Sequence, residues 1–311
     1  MVFVSGSTPG GNITTKFRVR TCVIFNPAAK GNKARHFRKH LDEFGSSCTF
    51  KLTSGPNDAR RLAAEAVREK AEVVVAAGGD GTVNEVLNGI GDVEGGFQNT
   101  CLAVLPLGTV NVFARELSIP QKIEAAWRVV LAGREMRIDL PRVEKNSGSR
   151  RFFVQLAGAG LDARAVELVS WSLKKKLGPL AYVYAGLKAL LRKPSRITVT
   201  GGGMSLTGEL VLIGNGRLYG GDYQLFPQAN LSDGLLEVAV FPRVNWFTLA
   251  RCGPELLLRQ KVPVSQVCSL QAESVTLESP DETPMEVDGE LAGLLPATFH
   301  IQRQGLRVVV P

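Results

Sequence analysis

The stretch that most constrains the fold is residues 72–90, EVVVAAGGDGTVNEVLNGI. Its five consecutive apolar residues, 73–77, predict a strand that is buried on both faces. The strand runs directly into the glycine turn GGDGT (78–82) and then into a helical pattern. Glycines let the backbone approach a ligand and can supply positive φ, and the first N–H groups of a helix have no internal partner. The stretch therefore predicts a phosphate site.

Asp80 is the unusual member of this turn, because its carboxylate would repel a bound phosphate. The repulsion is avoided if a cation lies between the two groups or if the residue handles a proton, and both indicate kinase chemistry. Two more glycine-bearing loops, 26–31 and 106–109, follow predicted strands. Ligands of open α/β sheets bind outside the carboxyl ends of strands, so three such loops together favour a ligand site over ordinary turns.

Strand and helix signals alternate from Phe17 to Gly133 and predict an N-terminal doubly wound, mostly parallel α/β nucleotide domain. After Gly133 the pattern becomes strands separated by turns, with two helical interruptions, and predicts a C-terminal antiparallel, β-sandwich-like domain. The predicted organisation is a flexible leader (1–16), an α/β domain (17–139) and a β-rich domain (140–296).

Composition restricts the partners. A net charge of +8 and a pI near 9.4 favour an anionic partner. The five cysteines show no CxxC pair and are interpreted as reduced core residues of a cytoplasmic protein.

The longest apolar window, 177–191, is too interrupted to span a membrane. Residues 164–196 interleave basic, apolar and aromatic side chains, which favours peripheral contact with an anionic membrane over the alternative, a solvated helix face.

The motifs of other enzyme classes are absent from the sequence or incomplete in it. The chain has neither GxxxxGK[ST] nor GxSxG. Residues 158–163 fit GxGxxA but lack the acidic ribose partner and are interpreted as a structural turn. His36 and His40 have zinc-protease spacing, but Phe37 stands where that motif has its Glu, so both are interpreted as surface residues. No nucleic-acid partner is predicted.

Taken together, a set of motifs resembles the diacylglycerol kinase catalytic-domain family, which includes sphingosine and ceramide kinases and the small bacterial lipid kinases. The motifs follow the family's order over nearly the whole chain. They are NPAAKG (26–31), Thr53, GGDGTVNEVLNG (78–89), PLGTVNVFA (106–114), RIDL (137–140), NGRLYGGDY (215–223), NLSDGLLEV (230–238) and VDGE (287–290).

The resemblance implies ATP and Mg²⁺ as cofactors and a lipid acceptor. It implies that 17–139 is the ATP-binding domain, that 140–296 is the lipid-binding domain and that residues 297–311 return to the first domain. It implies Glu290 as general base, Asp80 in the magnesium and phosphate network or sharing the proton role, and Asp139 beside the acceptor. A structural magnesium site would involve Asp233, Asn230 and Leu235. The implied ATP contacts are Asn26, Pro27, Lys30, Gly31, Thr53, Gly79, Asp80, Gly81, Thr82, Asn84, Glu85, Gly108 and Thr109.

Two positions depart from the family pattern. Lys30 precedes the glycine of the first loop where a small residue is usual, so its side chain could itself reach a phosphate. Val112 stands where the family commonly has Asp, and the missing carboxylate puts the full magnesium network in question.

The resulting hypothesis is an ATP-dependent lipid kinase of phospholipid metabolism that is cytoplasmic and peripheral at the membrane. Whether it forms a homodimer is left open. Two alternatives stay open: a kinase of a soluble acceptor, as in NAD kinases, and a non-catalytic nucleotide-binding regulatory protein, which Val112 makes plausible. The sequence does not name the lipid.

Overall fold

A computed structural model describes residues 20–29, 34, 37, 48–168, 188, 192, 194–245 and 267–311. The helices there are α1 Asp58–Arg68, α2 Asp80–Gly91, α3 Gly96–Asn99, α4 Val112–Glu116, α5 Ile123–Ala132 and α6 Leu161–Leu168. The first strands are β1 Thr21–Phe25, β2 Thr49–Leu52, β3 Val73–Gly78, β4 Cys101–Pro106, β5 Glu135–Lys145, β6 Arg150–Phe152, β7 Leu156–Gly160, β8 Ile197–Gly201 and β9 Met204–Gly208. The remaining strands are β10 Leu210–Gly214, β11 Leu218–Tyr219, β12 Tyr223–Gln224, β13 Leu236–Phe241, β14 Cys268–Ala272, β15 Ser274–Glu278, β16 Pro284–Val287, β17 Glu290–Leu294 and β18 Ala297–Val309.

The N-terminal half builds a parallel sheet in which β2, β1, β3 and β4 are consecutive neighbours. The apolar run in β3 occupies the centre, and its residues are 0–9% exposed. Short strands whose residues are all apolar fit a position covered on both faces. The carboxyl ends of β1, β3 and β4 therefore meet at one edge of the sheet.

Helix α2 lies directly against α1 at a glycine. A Cβ built on Gly89 would lie 2.1 Å from the backbone oxygen of Arg60 and 2.7 Å from the Cβ of Ala63. Only the absence of a side chain allows this approach, so Gly89 sets how closely α2 packs against α1. The position of α2, and with it of its first turn, depends in part on that packing.

The long last strand, β18, joins the two halves. It runs parallel to β4 at Val308 and antiparallel to β5 and β15. The ten-stranded sheet thus continues into antiparallel strands, and a second, six-stranded sheet has the order β14-β13-β10-β7-β16-β17. A core built from both sheets, including Val199, Val211, Met285 and Phe299, fills the space between them.

The predicted fold class is confirmed: a parallel-rich α/β part is followed by an antiparallel β part. The division at residue 139 stays a proposal, and that position lies inside β5, which pairs with β18 over most of its length. Residues 158–160, interpreted above as a turn, belong to the buried strand β7, so that interpretation was wrong. Their pairing with both β10 and β16 makes them part of the core.

The four cysteines among the described residues differ in burial, and Cys48 is intermediate between buried and exposed. Cys22 and Cys101 are buried as predicted, and burial raises their pKa to about 11 and about 12. The core interpretation is wrong for Cys268, which is exposed at the start of the edge strand β14, where the sandwich core has ended. Cys252 lies outside the described residues.

Within the described ranges, none of the helices has the length and apolarity that crossing a membrane requires.

Candidate active site

The three predicted loops come together at the carboxyl edge of the parallel sheet. After β1, the backbone N–H of Asn26 donates to the Ala77 oxygen at 3.0 Å, and its Nδ2 donates to Thr82 Oγ1 at 3.1 Å. After β4, the N–H of Leu107 donates to the oxygen of Gly78 at 2.9 Å. The loops are thus bonded to one another, and the nucleotide contacts assigned to them stay predictions.

The backbones of Gly79 and Gly108 touch. A Cβ on Gly108 would lie 2.5 Å from the Cα of Gly79 and 2.7 Å from Asn111 Oδ1. Neither glycine has positive φ, and Gly79 is extended with φ −96°. The expectation that the turn uses glycine for positive φ is therefore wrong, and close approach is the reason for these residues. The absence of side chains at both positions also lets a phosphate approach the backbone.

Helix α2 begins at Asp80, immediately after this contact. Its N-cap residue, Gly79, offers no side-chain acceptor to the first N–H groups of the helix. Unpaired N–H groups and the positive end of the helix dipole suit an anion. The first turn of α2 therefore fits the phosphates of a nucleotide. Thr109, exposed after β4, and Thr53, whose N–H donates to the Phe25 oxygen at 2.9 Å, border this edge.

The carboxylate of Asp80 faces the start of α4. Its Oδ1 accepts the N–H of Phe113 at 3.3 Å, and the N–H groups of Asn111 and Val112 also point at it. Burial raises the pKa of Asp80, and these N–H groups oppose the rise. At position 112, where the family commonly has Asp, the valine places no second carboxylate beside Asp80.

The donor set around Asp80 is consistent with Mg²⁺. Mg²⁺ is usually held by one or two carboxylates together with substrate phosphates and water. The described part of the chain has no cluster of three or more His, Cys, Asp or Glu residues that could hold a metal. A single carboxylate beside a helix start that suits phosphates fits a Mg²⁺ ion that the nucleotide would also bind, and the assignment of Asp80 to hold the ion stays a prediction.

Glu85 lies one turn further along α2 and reaches the start of α1. Its two oxygens accept the N–H groups of Asn57 and Ala59, both at 3.0 Å. Burial raises the pKa of Glu85, the negative charge of Glu290 raises it further, and the N–H groups lower it. Glu85 thus holds α1 against α2, and its predicted contact with ATP stays a prediction.

Glu290 is brought to α2 by a two-residue hairpin turn between β16 and β17. Asp288 and Gly289 have φ of 48° and 82°, which suits the Asp-Gly pair of a type I′ turn. Glu290 follows directly, and its Oε1 lies 3.3 Å from the position that a Cβ on Gly81 would occupy. The predicted base and the predicted phosphate turn, from opposite halves of the chain, therefore face each other.

Asp288 anchors this turn. Its carboxylate accepts the N–H groups of Val154, Gln155 and Leu156 at 2.9–3.2 Å and the Nδ2 of Asn84 at 2.9 Å. Burial raises the pKa of Asp288, and these donors oppose the rise. Asn84, predicted as an ATP contact, thus also links α2 to the second half of the chain.

Arg151 on β6 is a site residue that the sequence reasoning missed. Its NH2 group donates to Asn84 Oδ1 at 2.9 Å and pairs with Glu290 Oε2, and its NH1 donates to the Leu291 oxygen at 3.2 Å. Nothing local in SRRFF distinguishes Arg151 from Arg150 except the strand alternation, which places the two on opposite faces.

The other predicted residues lie away from this contact. Asp139 is 1% exposed, and its oxygens accept the N–H groups of Gly234 at 2.6 Å and Gln304 at 2.7 Å. Its predicted contact with the acceptor stays a prediction. The structure uses its carboxylate to hold the 230–235 loop against β18.

In the predicted structural magnesium site of that loop, several of the oxygens that would bind the ion accept hydrogen bonds from the protein. Asn230 Oδ1 accepts the N–H and hydroxyl of Ser232, and Asp233 Oδ1 accepts the N–H of Leu235. The guanidinium of Arg303 donates to the backbone oxygen of Asp233 at 2.7 Å. The metal role of these residues stays a prediction.

Outside the described residues lie Lys30, Gly31 and most of the basic segment 164–196.

A buried pair of carboxyl groups lies beneath the hairpin turn. Glu286 on β16 accepts the Gly289 N–H at 2.6 Å, and Asp162 on α6 accepts the hydroxyl of Tyr219 at 2.8 Å. Both carboxyl groups crowd Gly158, where a Cβ would lie 2.4 Å from Asp162 and 2.9 Å from Glu286. Burial and then the charge of Asp162 raise the pKa of Glu286, and burial raises that of Asp162. A proton shared between the two groups accounts for their close approach.

This pair predicts a pH-dependent stability. Because the folded pKa of Glu286 lies above its ordinary 4.5, its contribution is fully present below pH 4.5 and is lost as pH rises through the raised value. Glu286→Gln keeps a neutral donor toward Asp162 at every pH. We expect its melting temperature, relative to wild type, to rise by a few degrees between about pH 5 and about pH 8. Thermal melts across that range measure the difference, and a constant difference would contradict the shared proton.

Known proteins match both halves of the chain. The diacylglycerol kinase catalytic domain matches residues 20–143, and the YegS C-terminal NAD kinase beta sandwich-like domain matches residues 155–310. These matches and the fold described above define a kinase with an α/β half and a β-sandwich half. The chain belongs to the family of diacylglycerol kinase and YegS lipid kinases.

Individual relatives span the same length. The "Probable lipid kinase YegS-like" of Pectobacterium atrosepticum is 32% identical over 90% of this chain and 94% of the relative. The diacylglycerol kinase of Bacillus subtilis is 29% identical over 94% of this chain and 96% of its own length. A crystal structure of a diacylglycerol kinase from Bacillus anthracis has a TM-score of 0.71, with 20% identity over 95% of this chain and 98% of that one.

Proposed function

We propose that the protein transfers the γ-phosphate of ATP to the hydroxyl group of a lipid. The observation that carries this proposal is the juxtaposition of Glu290 with the first turn of α2, 3.3 Å from the Cβ position of Gly81. A phosphate-binding helix start and a carboxylate that faces it are the two parts that phosphoryl transfer to an alcohol needs.

In the proposed reaction the acceptor oxygen attacks the γ-phosphorus and the bond from that phosphorus to the β-phosphate oxygen breaks, which releases ADP. Glu290 takes the hydroxyl proton. The N–H groups at the start of α2 and the backbones of Gly79 and Gly108 hold the phosphates. Mg²⁺, when bound at Asp80, would neutralise charge on the phosphates. Asp139 and the loop at Asn230–Leu235 are proposed to support the acceptor side.

A lipid acceptor is supported by the surface next to the base. Leu291 and Leu294 on β17 are 46% and 49% exposed, directly after Glu290. Apolar side chains beside a phosphoryl-transfer site suit an acyl or sphingoid chain better than a soluble sugar. The basic segment 164–196 supports peripheral contact with an anionic membrane from the cytoplasmic side.

Incubation with labelled ATP, Mg²⁺ and a total lipid extract tests the proposal. We expect label in the organic phase, in a product whose identification names the lipid. Label that appears only in a water-soluble product would favour the soluble acceptor. ATP binding without transfer to any acceptor would favour the regulatory alternative. Added anionic vesicles should raise the rate and co-sediment the protein.

A further inference from the structure

The region around the first turns of α2 has an excess of negative charge. Asp80 and Glu85 belong to these turns, Glu290 faces them at Gly81, and the negative charge of Glu290 raises the pKa of Glu85. Of the described residues, Arg151 is the cation that forms an ion pair with one of these three carboxylates. A nucleotide triphosphate entering this region needs positive charge from the protein as well as from a metal ion.

Arg151 is held where it can supply that charge. Its backbone belongs to β6, which pairs with β5, and the neighbouring Phe152 packs on Phe97 with ring centroids 4.9 Å apart. Its side chain is 25% exposed. The three hydrogen bonds to Asn84, Glu290 and Leu291 use three of the five N–H groups of the guanidinium. The backbone is fixed and the guanidinium has unused donors.

The NH2 group of Arg151 holds Oε2 of Glu290, whereas Oε1 faces the first turn of α2 and is not held by Arg151. A phosphate bound at α2 competes with Oε2 for the same NH2 group, so its arrival would release Oε2. Asn84 Oδ1, 2.9 Å from the same NH2 group, keeps the guanidinium at the first turns of α2 after that release.

We propose that Arg151 is a catalytic residue that exchanges Glu290 for the transferred phosphoryl group. Its guanidinium binds oxygens of the γ-phosphoryl group while the bond to ADP breaks, and Glu290 accepts the proton on Oε1, which Arg151 does not hold. Arg151 forms and breaks no covalent bond and transfers no proton. The role rests on the proposed function, since it requires a nucleotide phosphate at α2.

The test compares Arg151→Gln, Arg151→Lys and a matched control, Arg150→Gln. Arg150 lies one residue away on the other face of β6, is exposed, and has its guanidinium carbon 5.8 Å from the centre of the Phe152 ring. We expect Arg151→Gln to lower kcat about 10- to 100-fold with KM for ATP changed by less than about 3-fold. Arg151→Lys should recover part of the loss, and Arg150→Gln should match wild type.

The pH dependence of kcat distinguishes a contact between Arg151 and the phosphoryl group from an effect of Arg151 on Glu290 alone. Loss of a phosphoryl contact lowers kcat at every pH. If Arg151 acted only on the protonation of Glu290, removing it would shift only the acid limb of the kcat profile. The loss of kcat in Arg151→Gln would then disappear as pH is raised. Recovery of the wild-type maximum at any pH, or an unchanged kcat, would overturn the proposal.

A binding measurement keeps the proposal testable without turnover. ADP with fluoroaluminate occupies the position of the transferred phosphoryl group. We expect Arg151→Gln to bind ADP alone like wild type and ADP–fluoroaluminate about 10- to 100-fold more weakly, as measured by calorimetry. Equal binding of ADP–fluoroaluminate by both proteins would overturn the role of Arg151 even if the wild type transfers phosphate. A wild type that binds both but modifies no acceptor would instead refute the proposed function.

Discussion

Glu290→Gln is expected to lower the turnover of phosphate transfer at least ~100-fold, the lower end of what a general base contributes. Glutamine has the same size and its oxygen can still accept from Arg151, so the hairpin turn and the contact with α2 should persist. What is lost is the ability to take the acceptor's proton. The binding of ATP should therefore change little while kcat falls.

The matched control is Glu282→Gln, an exposed residue shortly before β16 in the same sheet. It removes the same charge at a distance from α2 and should leave kcat at the wild-type value. Steady-state kinetics with the identified lipid, together with ATP titrations, make the comparison. Turnover of Glu290→Gln within a few-fold of wild type would remove Glu290 from the role of base.

Asp80→Asn is a companion to this test. The amide oxygen can still accept the N–H of Phe113, which preserves the contact between the start of α2 and α4. A comparable loss of turnover that higher Mg²⁺ partly restores would place Asp80 on the metal side of the reaction. Together, the two substitutions distinguish the residue that takes the proton of the acceptor from the residue that holds the metal ion.

Much of this site could be predicted from the sequence because its signals are local. A buried apolar run that ends in GGDGT predicts a strand, a turn and a helix start, and the structure has β3 and α2 there. The Asp-Gly pair before Glu290 predicts a hairpin turn, and both residues have positive φ. Each signal lies within a few consecutive residues, where local apolar patterning and backbone sterics are enough to indicate the conformation.

The remainder depends on contacts between distant residues. Arg151 meets Asn84 and Glu290, which are 67 and 139 positions away, and no local pattern encodes such a meeting. Glycine is ambiguous in a similar way. A sequence does not distinguish a glycine needed for positive φ from one needed for close approach, and Gly79 and Gly108 turned out to be of the second kind.

Asp288 is the residue on which the meeting of the two halves most depends. Its carboxylate accepts three backbone N–H groups from residues 154–156 and the side chain of Asn84, which is 204 positions away. Removing it leaves several buried donors unpaired, at about 1–3 kcal/mol for each donor that water does not reach. Asp288→Ala also places alanine at φ 48°, which Asp and Asn tolerate better.

We therefore expect Asp288→Ala to lower the free energy of unfolding by about 3–5 kcal/mol, a loss typical of a broken buried hydrogen-bond network. Asp288→Asn keeps the backbone conformation and one acceptor oxygen, so its loss should be clearly smaller. Urea unfolding followed by circular dichroism measures both, with the exposed Asp281→Ala as a control that should match wild type. If Asp288→Ala is as stable as the control, the turn does not depend on this carboxylate. If it is less stable but still folded, its kcat should fall further than its affinity for ATP, because Glu290 would then be displaced from Gly81 while the start of α2 stays in place.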